Sequence, residues 1–397
     1  MFEVDALEKN RALSHCCYCC CGCCFGLWSL QQQPISITFH ITLANSFADA
    51  NRASPTPSQT PSTTATSTPS PSPNIEPNAT ATPEVPQISN VTVVDANGAN
   101  VTVTIPVKRI VCLTMIEIVH VLGAGDKVVA RSASLSSDAE AILPKSILQL
   151  PDVGTDMAPN LELIVELKPD LVLASQRLTD ENRKKLEDAG IAVIEDTLTG
   201  TRRNECIRNL ALILQAEQKA NEFINYETYY VNLVKNRVAS LPRDRKPLVY
   251  FEWYKLWFST GPGGSYNKMI VDAGGINIAE NASTSNPQLS PEFILEANPT
   301  IIIRMSTYLD GEDLASLQTL RNSILARSEI SETRAVKNST VYVIKSVLLV
   351  DRDFIGLLYF AKWFHPDLFQ DINPAAIHAE YIQKFFGANL TGVFTYP

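Results

Sequence analysis

Two stretches of the chain, Asn160-Leu-Glu162-Leu-Ile-Val-Glu-Leu-Lys-Pro169-Asp-Leu-Val-Leu-Ala174 and Ser290-Pro-Glu292-Phe-Ile-Leu-Glu-Ala-Asn-Pro299-Thr-Ile-Ile-Ile-Arg304, align without a gap. Each opens on a residue whose side chain can cap a helix, carries a glutamate two positions later, and passes through a proline into an apolar run that reads as a strand. Pro291 falls in the first helical position, where a missing N–H leaves no bond unmade. A capped helix feeding a strand, present twice, predicts two similar lobes.

The flanking sequence extends both copies. Val91 to Val94, Asp95-Ala-Asn-Gly98 and Val101 to Ile105 give alternation, a turn and alternation again, which is a hairpin. Short apolar runs of the fully buried type follow at Ile110 to Leu113, Val128 to Ala130, Leu171 to Ala174 and Ala192 to Ile194. They restart after Pro242 at Leu248 to Phe251, Thr300 to Ile303 and Val341 to Ile344. Helical spacing separates them, so the class is α/β with largely parallel sheets. Between the two series, Thr201 to Leu241 contains neither glycine nor proline and has apolar residues at helical spacing. Read as one helix it spans about 50–60 Å and braces the two lobes. The tail Ile355 to Phe369 reads as an amphipathic helix that ends before Pro366 and packs on the second lobe.

The N-terminal residues differ in kind. Lys9 and Arg11 precede apolar stretches that end in Ala48-Asp49-Ala50, the order of a secretory or membrane-targeting segment over residues 1–50. Seven of the nine cysteines lie between Cys16 and Cys24, too tightly packed for the separated pairs of a tetrahedral metal site; an apolar membrane-inserting or lipidated segment, or a mis-assigned start codon, is the expectation. Residues 51–89 are dominated by Ser, Thr and Pro and are expected to be a disordered stalk. Six Asn-x-Ser/Thr sequons suit a glycosylated surface protein. With 42 acidic against 33 basic residues and a net charge of −9, nucleic acid is excluded as the main partner. The expected organisation is a lobe at 90–200, a bridging helix at 201–241 and a lobe at 242–397.

At Lys108 to Leu113, Val121 to Gly125, Pro151 to Gly154, Asn160 to Glu162, Leu167 to Val172, Asp272 to Ala279, Ser290 to Glu292 and Ala335 to Tyr342, the chain resembles the substrate-binding proteins of ABC importers for iron-siderophores, cobalamin and haem. The resemblance runs from Val91 to the C-terminus and implies two Rossmann-like lobes joined by one long rigid helix, with a ligand cleft between them. It also implies that the glutamates at the two motif positions, Glu162 and Glu292, protrude one per lobe and dock a permease dimer through its arginines. Apart from the family, a carboxylate near a helix N-terminus is favourable by about 0.3–1 kcal/mol and requires no partner. The implied function is capture of a ferric siderophore, corrinoid or haem and delivery to the permease. A similar tail in relatives that bind molybdate or tungstate keeps an oxyanion as the alternative cargo.

Ligand contacts are expected from loops at the carboxyl ends of the strands. Arg177, Trp253, Tyr254, Trp257, Arg304 and Arg352 are the main candidates, since arginine forks hold oxyanions and aromatics stack on bulky ligands. Thr114, Met115, Arg131, Thr155, Asp156, Met157, Gln176, Tyr266, Met305 and Lys345 occupy similar places. Trp257 and Tyr266 read equally well as core, and Arg131 as a surface ion pair. Gly261-Pro-Gly-Gly264 reads either as an anion cradle or as a plain turn. The folded part holds no HExxH pair, no GxSxG elbow and no Cys/His cluster, and Cys112 and Cys206 read as buried thiols, so no catalytic residue, metal site or cofactor is expected. A cell-surface scaffold is the alternative of another class. No sequence feature calls for an oligomer, and a monomer is expected.

Overall fold

In a computed structural model, which describes residues 89–198 and 200–397, three sheets account for the strands. The targeting segment, the cysteine cluster and the stalk lie outside the described residues. β1 (Ser89–Val94) and β2 (Asn100–Ile105) pair antiparallel around the Asp95–Ala99 turn as the alternation requires. The hairpin is tied to the first lobe by Arg183, which bridges Asp95 at 2.8 Å and Glu195 at 3.0 Å.

The first lobe is a four-stranded parallel sheet in the order β4 (Val128–Arg131), β3 (Ile110–Cys112), β5 (Leu171–Ala174), β6 (Ala192–Glu195). Its connections include α1 (Ile116–Val121), α2 (Ser137–Glu140), α3 (Leu161–Glu166) and α4 (Asp180–Asp188). The second lobe has β10 (Val341–Lys345), β9 (Ile301–Ser306), β7 (Leu248–Glu252) and β8 (Ile276–Asn277) in parallel, with β11 (Thr395–Tyr396) antiparallel at the edge. Strands β3, β5, β7 and β9 carry unbroken or nearly unbroken burial, which is why they read as continuous apolar runs rather than as alternation.

The linking segment differs from the single helix expected. It divides into α5 (Arg203–Leu214) and α6 (Glu217–Val238), because Gln215 takes a left-handed conformation (φ 55°) that ends the first helix. The brace is therefore α6 alone, 22 residues and about 33 Å long. The sequence lacks glycine and proline here, so nothing in the composition marks the break. The tail also differs: α10 (Asp353–Phe364) is buried at Phe354 through Leu358, at Phe360, Ala361 and Phe364, and is an interior helix rather than an amphipathic one. It is held against the Val347–Val350 turn at Gly356, where a Cβ would stand 2.1 Å from the carbonyl oxygen of Leu348. A further helix, α11 (Pro374–Phe386), covers it, with its end sealed by left-handed Gly387.

Arg203 on α5 donates to Glu227 on α6 at 2.6 and 2.9 Å, and the Tyr381 hydroxyl on α11 donates to the same carboxylate at 3.1 Å; all three residues are buried. Removing one partner of such a pair strands the other charge in the interior. Arg203→Ala is expected to cost about 3–5 kcal/mol, and replacing Arg203 and Glu227 together by leucine to recover most of it. Denaturant unfolding of the parent and the two variants measures both.

Candidate functional site

Strand order fixes where a ligand would enter. In the first lobe β3 lies between β4, which follows it, and β5, so the chain reverses its direction of travel across the sheet between β3 and β5. The second lobe reverses in the same way between β7 and β9. Loops at the carboxyl ends of such strand pairs diverge and leave a crevice. These loops are 113–115 and 175–178 in the first lobe, and 253–260 and 307–313 in the second. The lobes touch beside them: the Ser137 hydroxyl, at the start of α2, donates to Glu312 at 2.7 Å.

The sequence candidates separate into groups. Trp253 is buried, stacks on Phe258 at 5.3 Å and 11°, and meets Tyr254 edge-on at 5.1 Å; its indole nitrogen is buried with no acceptor. Tyr254 is half-buried beside it. Met157, Leu256 and Leu309 stand exposed in neighbouring carboxyl-end loops, at 52%, 52% and 62% of their full exposure. Half-buried Arg177 follows β5. Arg352 is 1% exposed, and the Nε and Nη2 of its guanidinium are buried without a hydrogen-bond partner.

Two of the main candidates are placed otherwise. Arg304 points into its own lobe, donating to the carbonyls of Trp253, Met305 and Tyr254 and lying 3.3 Å from Glu252. Its donors are spent on positioning the Trp253–Tyr254 loop, and burial lowers its proton affinity. Trp257 packs on the outer cluster around Tyr250, Ile294 and Ile302, with the Arg327 guanidinium 4.8 Å above its ring. Glu252, buried and held bidentately by Arg327 at 2.7 and 2.9 Å, fixes that arrangement.

The lesser candidates divide similarly. Arg131 caps the carbonyls of Leu148 and Ser132, and Gln176 reaches Asn97 of the hairpin turn at 2.8 Å. Tyr266 stacks on Phe251 in the core, and Met305 is wholly buried. Asp156 accepts from the Ser175 hydroxyl. The Gly261–Gly264 loop is a turn: the amides of Gly261 and Gly264 donate to Ser285 and Gly261 carbonyls, so they cradle nothing. Cys112 and Cys206 are buried and free, and burial pushes both thiols up. Among the described residues no group of three or more His, Cys, Asp and Glu is gathered for a metal.

The floor of the cleft holds residues that sequence reasoning missed. Glu117 on α1 and Asp138 on α2 both lie within electrostatic reach of Arg352 of the second lobe, Asp138 also of Lys345, and Asp351 feels the charges of Glu117 and Asp138. Solvent reaches Asp351, yet protein surrounds it. That desolvation, and next the Glu117 charge from the opposite lobe, push its carboxyl up to about 7. Glu117 is raised by the same two kinds of cause, burial first, and Asp138 likewise. Neither Glu117 nor Asp351 stands in a recognisable motif. The only signal available was position, since both closely follow the carboxyl end of a strand.

Asn160 and Ser290 cap their helices as the repeat predicts, accepting from Leu163 and Phe293 amides at 3.1 and 3.2 Å. The second of these helices is α7 (Pro291–Ala297). Ile164 and Ile294 hold matching, fully buried places, and Glu162 and Glu292 are exposed at matching places. Hydrogen bonds from its own backbone and Ser290 keep the Glu292 carboxyl below its usual range.

A family model for periplasmic binding proteins matches residues 110–348, more than half of the chain. The chain belongs to that family. An ABC transporter substrate-binding lipoprotein of Bacillus subtilis, YvrC, is 28% identical over 297 residues, spanning 72% of this chain and 88% of its own. A cobalamin-binding protein of Halobacterium salinarum is 27% identical over 213 residues, 51% of this chain and 53% of its own. The crystal structure of a TroA-like periplasmic binding protein, FepB from Veillonella parvula, superposes with a TM-score of 0.65 at 25% identity, covering 77% of this chain and 99% of that one. The protein is thus an extracytoplasmic, non-enzymatic ABC substrate-binding protein, whose partners are a permease and a small ligand.

Because the folded Asp351 carboxyl titrates near 7 against an ordinary 3.8, the folded protein holds a proton that the unfolded chain releases, and ionisation destabilises the fold progressively across that window. Asp351→Asn removes this penalty. Its melting temperature is expected to match the parent at pH 4 and to exceed it increasingly up to pH 7, with a plateau above, in melts scanned against pH.

Proposed function

We propose that the protein captures a metal chelate, a ferric siderophore, corrinoid or haem, in the cleft between its lobes and delivers it to an ABC permease. The observation that supports this reading is that each lobe has a sheet switch point, that the lobes meet at the Ser137–Glu312 hydrogen bond beside carboxyl-end loops, and that one of those loops carries the packed Trp253–Tyr254 pair. An aromatic pair suits a bulky ligand with a wide face. Arg177, Trp253, Tyr254 and Arg352 remain the proposed contacts from the sequence; Arg304 and Trp257 support the loop that presents them. The relative that binds cobalamin supports the same class. The second reading, a molybdate or tungstate site, has one observation in its favour, the unpartnered fork of Arg352.

Glu162 and Glu292 are the proposed docking residues, one exposed carboxylate per lobe on matching helices. The lobes are assigned to residues 90–200 and 242–397. Delivery through an N-terminal targeting segment, and anchoring by it as in the lipoprotein relative, complete the proposal. The sequon asparagines Asn90, Asn100, Asn281, Asn338 and Asn389 are all exposed, which supports glycans on the same surface.

Thermal melts of the full chain with ferric siderophores, haem, cyanocobalamin and molybdate test the cargo. A true ligand at 100 times its dissociation constant is expected to add about 2.7 kcal/mol of stability. Reversal of both docking charges, Glu162→Lys with Glu292→Lys, is expected to lower uptake through the permease by about tenfold or more while leaving ligand affinity unchanged. Undiminished uptake would remove the docking assignment.

A further inference from the structure

Away from the crevice, the helices α3 and α7 match more closely than their caps and glutamates alone require. Counted from Asn160 and Ser290, the exposed positions coincide: Glu162 with Glu292, Val165 with Leu295, and Glu166 with Glu296, around Ile164 and Ile294, which are wholly buried. Both helices are followed by a left-handed residue, Lys168 (φ 46°) and Asn298 (φ 50°). Each end is pinned by an arginine of its own lobe: Arg109 donates to the Leu167 carbonyl at 2.9 and 2.8 Å, and Arg334 to the Asn298 carbonyl at 3.2 Å. Spacings of three and four residues put both glutamates of a helix and the apolar residue between them on one face. Val165 and Leu295 are 40% and 39% exposed, and neither joins the apolar core beneath its helix. Phe293, 41% exposed, widens the patch on the second lobe, where the first has half-buried Leu163.

A helix face turned only to water is built differently in this protein. On neighbouring α4 the charges bridge one another, Lys185 to Glu181 at 2.7 Å, Lys184 to Asp188 at 2.8 Å and Arg183 to Glu187 at 2.9 Å. Among the described residues, Glu162, Glu166, Glu292 and Glu296 make no ion pair. One exposed apolar side chain is ordinary on any surface. The same feature at the same place in both lobes, between the same two unbridged carboxylates, is not required by folding, which uses only the buried isoleucines beneath. We propose that Val165 and Leu295 are the apolar anchors by which the chain docks on its ABC permease, one per lobe, each flanked by carboxylates that meet basic groups. The partner must present one surface twice, apolar at its centre and basic at its margin, as a two-fold permease dimer can. Because the helix ends are pinned, the anchors are pre-organised and set how long the complex lasts, whereas the glutamates steer its formation. This rests on the docking reading of Glu162 and Glu292.

The test follows association and dissociation of the full chain on its ABC permease dimer, held in lipid discs, by interferometry. Val165→Gln and Leu295→Gln, polar and helix-compatible changes at exposed positions, are each expected to speed dissociation about tenfold and to change association by less than about twofold, with melts that match the parent's. Glu162→Lys with Glu292→Lys is expected to slow association instead. Leu212→Gln, at a place on α5 that is 44% exposed, is expected to change neither rate. Unaltered dissociation in both glutamine variants, with the charge reversal still slowing association, overturns the apolar anchors and leaves the glutamate docking standing. An equal loss from Leu212→Gln overturns them as well. A dimer of the chain in sedimentation that either glutamine variant at the repeat dissociates assigns the face to a second copy and overturns the inference. Binding that neither the glutamine variants nor the charge reversal alters overturns both the inference and the docking reading on which it rests.

Discussion

The buried contact between Arg203 and Glu227 sets the geometry on which the cleft depends. Arg203 begins α5, the element by which the chain leaves the first lobe; Glu227 lies midway along the brace; Tyr381, bonded to the same carboxylate, belongs to the C-terminal helix. The free edge of the guanidinium comes within 3.5 Å of the Asp351 carbonyl, at the floor of the crevice. One ion pair therefore ties together the exit from the first lobe, the brace, the last helix and the segment carrying Asp351 and Arg352. The cost of desolvating both charges is offset only because the bonds are bidentate and the hydroxyl completes the carboxylate's set. The aromatic packing of Phe223, Phe354, Tyr381 and Phe385 around it excludes water and keeps the pair strong.

From that anchor, the roles of the charged side chains follow from how many partners each has. Glu252 and Arg304 are saturated by Arg327, Tyr250 and backbone carbonyls, so they hold shape. Arg183 is spent in the same way on the hairpin. Arg352 is as deeply buried as these and has two donors left over. An unsatisfied buried donor costs roughly 1–3 kcal/mol, so retaining two of them beside the crevice sets this arginine apart from the structural ones. Glu117, on the other lobe, and Asp351, next to Arg352 in the chain, are raised rather than lowered in proton affinity, first by burial.

The fold was legible because its signals were local. Burial on both faces of a parallel strand writes a continuous apolar run, and a capped helix writes its cap, so the strands of both lobes and the helices at Leu161 and Pro291 could be placed within a few residues. The break at Gln215 was not legible, since a non-glycine residue takes the left-handed conformation there. The interior character of α10 was hidden because the helix that covers it, α11, lies later in the chain. The site was legible only in part. Strand-end position singled out Trp253, Tyr254 and Arg352 as candidates together with Arg304, and could not tell that Arg304 turns inward. Glu117 and Asp351 were missed because what marks them is an encounter between lobes more than two hundred residues apart in sequence.

The two copies of the internal repeat show how unlike constraints act on one architecture. At the helices beginning at Leu161 and Pro291, cap, exposed glutamate and buried isoleucine are all kept in matching places. At the crevice the copies have diverged: the first lobe contributes Glu117 and Asp138, whereas the second contributes the Trp253–Tyr254 loop, Lys345, Asp351 and Arg352. A partner with two-fold symmetry, as proposed for the permease, meets both lobes with the same surface and so holds both to the same pattern. A small ligand has no such symmetry, and each wall of the crevice is free to match a different side of it. On the proposed reading, docking would rest on the matched positions of the repeat and recognition on the carboxyl-end loops, so a change of cargo would require substitutions in those loops and leave Glu162, Glu292 and the helices beneath them untouched.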